Sequence, residues 1–106
     1  MQNFHFAVAA FGLIAIGVAS ADEDATLQLL QRNACSACHQ PTTKVVGPSW
    51  QEVANRYRDG KKTASELGES VKKGSTGQWG PVPMPPQAQV NDADLTTITQ
   101  WILTKN

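Results

Sequence analysis

The chain has two cysteines in 106 residues, and both lie in CSACHQ (35–40), with His39 directly after the second. Four chemistries use such a pair: a disulfide, a metal clip, a redox dithiol, or covalent attachment of a cofactor. A bond between Cys35 and Cys38 would close a very short loop and constrain the unfolded chain little. A structural zinc site asks for four ligands, and the only other histidine is His5, close to the N-terminus. A redox dithiol belongs in a βαβ setting, and no alternating strand pattern stands out. The form C-x-x-C-H is that of covalent haem attachment. The two thiols add to the two vinyl groups, and the residue after the second cysteine falls beneath the iron. Cys35 and Cys38 are therefore the expected attachment points of one haem c, and His39 its proximal axial ligand.

The opposite axial position can be open, or filled by a second histidine or a methionine. With His5 set aside, no second histidine remains. Met1 is the initiator, which leaves Met84, in PVPMPP (81–86). A lone loop methionine often only fills a gap. Here Pro83, Pro85 and Pro86 fix backbone φ and keep the segment out of any helix. Such stiffness holds a weak thioether ligand in place, so Met84 is the expected distal ligand. A ligating histidine usually donates its other ring N–H to a carbonyl or carboxylate, and Gly47-Pro48 is a rigid place to offer one. Trp79, in GQWGP, either donates its indole N–H to a haem propionate or packs in the core. Trp50, Tyr57 and Trp101 are assigned to the core. Lys44, Lys61, Lys62, Lys72 and Lys73 either ring an exposed haem edge or form an ordinary solvated face.

These residues need elements to position them, and the pattern is helical throughout. Leu27, Leu30 and Ala34 recur at helical spacing behind the acidic run of Asp22, Glu23 and Asp24. A second helix is expected over 49–57, with Trp50, Val53, Ala54 and Tyr57 on one face. A third begins at the T-x-x-E of Thr63 and Glu66, buries Leu67 and Val71, and ends at Gly74. A fourth starts after Asn91 or Asp92 and presents Leu95, Ile98, Trp101 and Ile102. Residues 40–48 and 75–89 are rich in Pro and Gly and are expected as ordered loops. A loop as long as the second is uncommon unless it has a task. The expected class is all-α: four short helices and two long ordered loops wrapped around one covalently attached haem.

The N-terminal part differs in kind. Residues 6–19 are apolar or small and run into Ala19-Ser20-Ala21, an A-x-A site ahead of the acidic run. This reads as a cleaved secretory signal peptide over residues 1–21, with an uncleaved anchor as the alternative; the run is short for a transmembrane span, which needs about 20 apolar residues. Residues 22–106 then form one small domain, in which a covalently held apolar haem supplies much of the core. Nine basic residues balance nine acidic ones, so no net field points to nucleic acid.

Beyond the haem motif, the chain resembles the short bacterial class I cytochromes c of the cytochrome c-551/c-552 group. The resemblance runs through CSACH (35–39), KVVGPSW (44–50), EVANRY (52–57), KKGSTGQWGPVPMPP (72–86) and WIL (101–103). It implies the cytochrome c fold, thioethers at Cys35 and Cys38, and axial ligation by His39 and Met84. It also implies a Pro48 carbonyl accepting from His39, a Trp79 contact to a propionate, and crossed N- and C-terminal helices. Relatives often carry a basic side chain at the place of Ser70 and an asparagine at that of Gln87. The implied function is a monomeric periplasmic electron carrier rather than an enzyme, because two protein ligands leave the iron no place for substrate. Its partners would be redox proteins of the terminal oxidase, nitrite reductase or peroxidase type. The alternative is a haem-based ligand sensor or weak peroxidase, if Met84 detaches.

Overall fold

The computed structural model describes residues 18–105 together with Ala7, Ala9, Ala10 and Gly12. Four α-helices follow one another: α1 Val18–Arg32, α2 Trp50–Tyr57, α3 Ala64–Lys73 and α4 Asp92–Leu103. A short 3-10 turn, Cys35–Ala37, follows α1. Among the described residues there is no strand, only two isolated β-bridges, so the all-α expectation is met. No helix among them is long and apolar enough to cross a membrane.

Local chemistry sets most helix ends. Ser49 caps α2 in a capping box: its hydroxyl accepts from Glu52 N at 3.1 Å, and the Glu52 carboxylate accepts from Ser49 N at 2.7 Å. Thr63 and Glu66 do the same at α3, and Asn91 caps α4 by accepting from Asp94 N at 2.8 Å. Each cap satisfies N–H groups that have no partner inside the helix. Val90 precedes the α4 cap and Leu95 stands at the fourth place after that cap, the positions of a hydrophobic staple. Both belong to the buried core. At the end of α3, Gly74 takes a positive φ as expected, but with extended ψ (φ 75°, ψ 177°) rather than the left-handed helical value. Only glycine adopts that combination readily.

The first helix departs most from expectation. Its described part already includes Val18, so the acidic run lies inside it rather than at its start. Residues 18–21 contain neither Gly nor Pro, and nothing in their backbone chemistry stops a helix there. The expected cleavage point after Ala21 therefore falls within α1, and most of the apolar leader lies outside the described residues. The buried face also differs. Leu30 is buried as expected, but Leu27 is 37% exposed and Ala34 lies beyond the helix end. Thr26 is buried in their stead, and Leu29 packs against the core.

α4 lies at the centre of the packing and touches α1, α2 and α3. Leu30 from α1, Val53 and Tyr57 from α2, Leu67 from α3 and Leu95, Ile98 and Ile102 from α4 join in one cluster. Each such aliphatic side chain contributes about 1.5–3 kcal/mol when fully buried. The residues after α4 are tied at the surface to α1 and to the end of α2. Lys105 Nζ stands 3.3 Å from the Glu23 carboxylate and 4.1 Å above the Trp101 ring, and Arg58 donates to the Lys105 carbonyl at 2.9 Å.

Candidate functional site

The first wall of the site is built from the end of α1. Ala34 takes a left-handed conformation, φ 60°, which turns the chain out of the helix. His39 N and Cys38 N then both donate to the Cys35 carbonyl, at 3.0 and 3.2 Å. This single turn brings Cys35, Cys38 and His39 to one side, as spacings of three and four do in helical backbone. Both thiols are half-buried and free of any disulfide. Burial raises the Cys35 thiol above its ordinary range, and the neighbouring Cys38 adds to this while a backbone hydrogen bond opposes it. A dithiol oxidoreductase uses the reverse arrangement, a depressed and exposed thiol.

His39 is oriented from three directions. Its Nδ1 lies 2.6 Å from the Pro48 carbonyl. A carbonyl can only accept, so Nδ1 carries the proton and Nε2 keeps its lone pair for a metal. The ring stacks on Trp50 at a centroid distance of 4.5 Å and an interplanar angle of 25°. Gly47 closes the third side: a Cβ there would meet His39 Cε1 at 2.8 Å and Nδ1 at 3.2 Å. The loop itself is stitched back by Gly47 N to Cys38 O at 2.8 Å and Trp50 N to Gln40 O at 2.9 Å.

The second wall carries Met84. Ser75 N donates to Met84 O at 3.0 Å and Met84 N donates to Ser75 O at 2.9 Å, so the methionine backbone is clasped to the end of α3. Gln87 N adds a bond to Val71 O at 3.0 Å. Gly74 makes the clasp possible, because a Cβ there would meet Met84 O at 2.6 Å and Pro86 N at 2.9 Å.

The two walls face one cavity of about 300 Å³. All seven residues expected at the site line it: Cys35, Cys38, His39, Gly47, Pro48, Trp79 and Met84. Trp79 both lines the cavity and packs against the core cluster, edge-on to Tyr57 at 6.0 Å and 85°. The Arg56 guanidinium covers its ring at 4.1 Å. The lining is predominantly apolar, with Val53, Leu67 and Ile98 at its floor. Unpaired thiols, a free imidazole nitrogen and a thioether around an apolar slot suit a flat apolar macrocycle with a coordinating metal, and the residues therefore fit haem c.

Sequence reasoning missed several participants. Trp50 and Tyr57 are core residues as assigned, yet both also line the cavity. The capping box at Ser49 was visible as S-x-x-E and directs Trp50 to its place. Gly74 was read only as a helix stop, and nothing in the local sequence pairs Ser75 with Met84. The lysines do not form a ring. Lys61 pairs with Asp59, Lys72 with Asp92 and Lys73 with Glu69, all at the surface, Lys44 is exposed, and only Lys62 lines the cavity.

Comparison with known proteins agrees with this geometry. The family described as Cytochrome c matches residues 27–106. Cytochrome c-552 of Nitrosomonas europaea is 46% identical over 96 residues, covering 91% of this chain and 89% of that protein. Cytochrome c-551 of Pseudomonas aeruginosa is 40% identical over 77 residues, covering 73% of each. The crystal structure of wild-type Nitrosomonas europaea cytochrome c552 superposes with a TM-score of 0.72 at 45% identity, over 76% of this chain and 99% of that one. The chain belongs to the cytochrome c family, as a small class I c-type cytochrome of the c-551/c-552 group that carries one covalently attached haem c and serves electron transfer.

Proposed function

We propose that the protein is a periplasmic single-electron carrier in which Cys35 and Cys38 form the two thioethers and His39 and Met84 fill both axial positions. When bound, haem c supplies an iron that takes up and gives back one electron. The residues do the rest. Pro48 holds the His39 ring with Nε2 free, the observation that carries the proposal, since the tautomer and orientation of a ligand are already set by the protein. The Ser75 clasp keeps the Met84 thioether at the opposite wall. With both positions taken by protein, no substrate site is left, and transfer is outer-sphere. Methionine as the partner of histidine favours the reduced state, and the apolar lining acts in the same sense by disfavouring added charge.

Val46 and Val82 line the cavity mouth and are 48% and 57% exposed, with Val45 beside them at 54%. Such an apolar rim suits brief contact with redox proteins of the terminal oxidase, nitrite reductase or peroxidase type, through a patch at the small end of interface sizes. The protein acts as a monomer. Residues 1–26 lie outside the matched family region, which supports a leader removed on export after Ala21.

The test is an intact mass together with a reduced-minus-oxidised visible spectrum of the exported protein. The expected mass is that of residues 22–106 plus one haem, with the weak long-wavelength band of methionine ligation in the oxidised form and no carbon monoxide binding to the reduced form at neutral pH. A mass equal to the bare polypeptide would overturn the proposal. Carbon monoxide binding would instead support a ligand sensor from which Met84 detaches.

A further inference from the structure

Lys62 is the only lysine, arginine, aspartate or glutamate among the residues lining the cavity. It enters from the loop between α2 and α3 and is half-buried. Its Nζ donates to the Ser70 hydroxyl at 3.1 Å and stands 5.2 Å from the centre of the Tyr57 ring. The other lysines near it have carboxylate partners: Lys61 with Asp59, Lys72 with Asp92, Lys73 with Glu69. Lys62 has no such partner among the described residues. A half-buried ammonium facing an apolar cavity loses hydration, and a hydroxyl and a ring face replace only part of it. An anion on the occupant of the cavity would complete it. The haem carries two such groups, its propionate carboxylates. We propose that Lys62, held by Ser70 and Tyr57, is the cation that pairs with a haem propionate and thereby sets the potential and its pH dependence.

This rests on the haem reading above, and the chemistry is an ion pair with no bond made or broken. The other charged groups around Lys62 are already engaged. On α2, Arg56 lies over Trp79 and donates to the Gln78 carbonyl at 2.6 Å. In the loop, Asp59 and Lys61 pair with each other. On α3, the Glu66 carboxylate accepts from Thr63 N at 3.2 Å, and Glu69 pairs with Lys73. Lys62 alone points a free charge at the cavity.

A positive charge beside a propionate favours its ionised form and disfavours the oxidised, more positive haem. Removing that charge therefore raises the propionate pKa and lowers the midpoint potential. The experiment compares haem-loaded parent, Lys62→Gln and Lys62→Arg by equilibrium redox titration across pH. In Lys62→Gln the midpoint at neutral pH is expected to fall, and the pH at which the potential begins to drop is expected to rise by about one unit, the lower end for loss of a close opposite charge. Lys62→Arg is expected to restore both. Lys62→Gln with unchanged midpoint and pH profile, or with a changed melting temperature alone, overturns the proposal. So does failure of arginine to restore the profile in a protein that loads haem normally. Absence of haem in the parent mass would instead defeat the reading on which the inference stands.

Discussion

The two walls of the cavity hold their candidate ligands by different means. On the His39 side, backbone bonds cross the loop from Gly47 to Cys38 and from Trp50 to Gln40, and the imidazole itself is fixed by Pro48 and Trp50. On the Met84 side, the backbone is clasped at Ser75 and Val71, while the Met84 side chain is half-buried and the preceding Val82 and Pro83 are exposed. The difference follows from ligand chemistry. An imidazole must present one particular nitrogen along one direction, so its ring has to be oriented. A thioether sulfur has lone pairs on a flexible chain, so positioning its backbone suffices. One wall sets orientation and the other sets position.

Removing the covalent anchor tests the first wall most severely. Cys35→Ala/Cys38→Ala is expected to lose haem, and with it the cooperative thermal transition followed by far-UV circular dichroism, because an apolar cavity amid a thin core is left unfilled. Native-like helicity with a cooperative melt would show that the helices stand without the cofactor. Met84→Ala should do less. Haem is expected to stay attached, the reduced protein to bind carbon monoxide, and the midpoint potential to fall as the sulfur ligand is lost. An unchanged spectrum would mean that Met84 does not ligate.

The two glycines sharpen the contrast. Gly74→Ala is expected to cost about 3 kcal/mol by chemical denaturation, since it combines a strained φ with a Cβ against backbone atoms, and to weaken the methionine spectral band. Gly47→Ala is expected to cost about 2 kcal/mol as overpacking against the His39 ring, which Pro48 and Trp50 hold from the other sides. Its mark should appear in the imidazole proton shifts of the reduced protein and leave the methionine signals alone. Equal disturbance of His39 and Met84 by either variant would contradict a division of labour. The smallest effect is expected for Ser49→Ala, about 1 kcal/mol for the lost α2 cap, with a slight shift of His39 through Trp50.

Much of this was legible from residues within a turn of one another. The Thr63 and Asn91 caps, the buried stripes at Val53/Tyr57 and Leu95/Ile98/Ile102, and the attachment motif rest on spacings that a local backbone turns directly into geometry. The first helix shows where such reasoning fails. Leu27 and Leu30 have the spacing of one apolar face, but α4 approaches from the side of Thr26 and Leu30, and periodicity does not say which of two adjacent stripes a partner covers. The start of α1 was misjudged because a signal boundary is a mark for processing and carries no helix stop.

The sequence by itself determined the chemistry on offer: two thiols and an imidazole on one turn, a single methionine in a stiff loop, and an all-helical frame with capped ends. These depend on covalent connectivity and on neighbours a few residues away. Only the tertiary structure decided that both loops open on the same cavity, that Trp50 backs His39, that Ser75 and Gly74 clasp Met84, and that Lys62 lines that cavity while the other lysines do not. Those relations join residues distant along the chain, and packing around α4 brings them together.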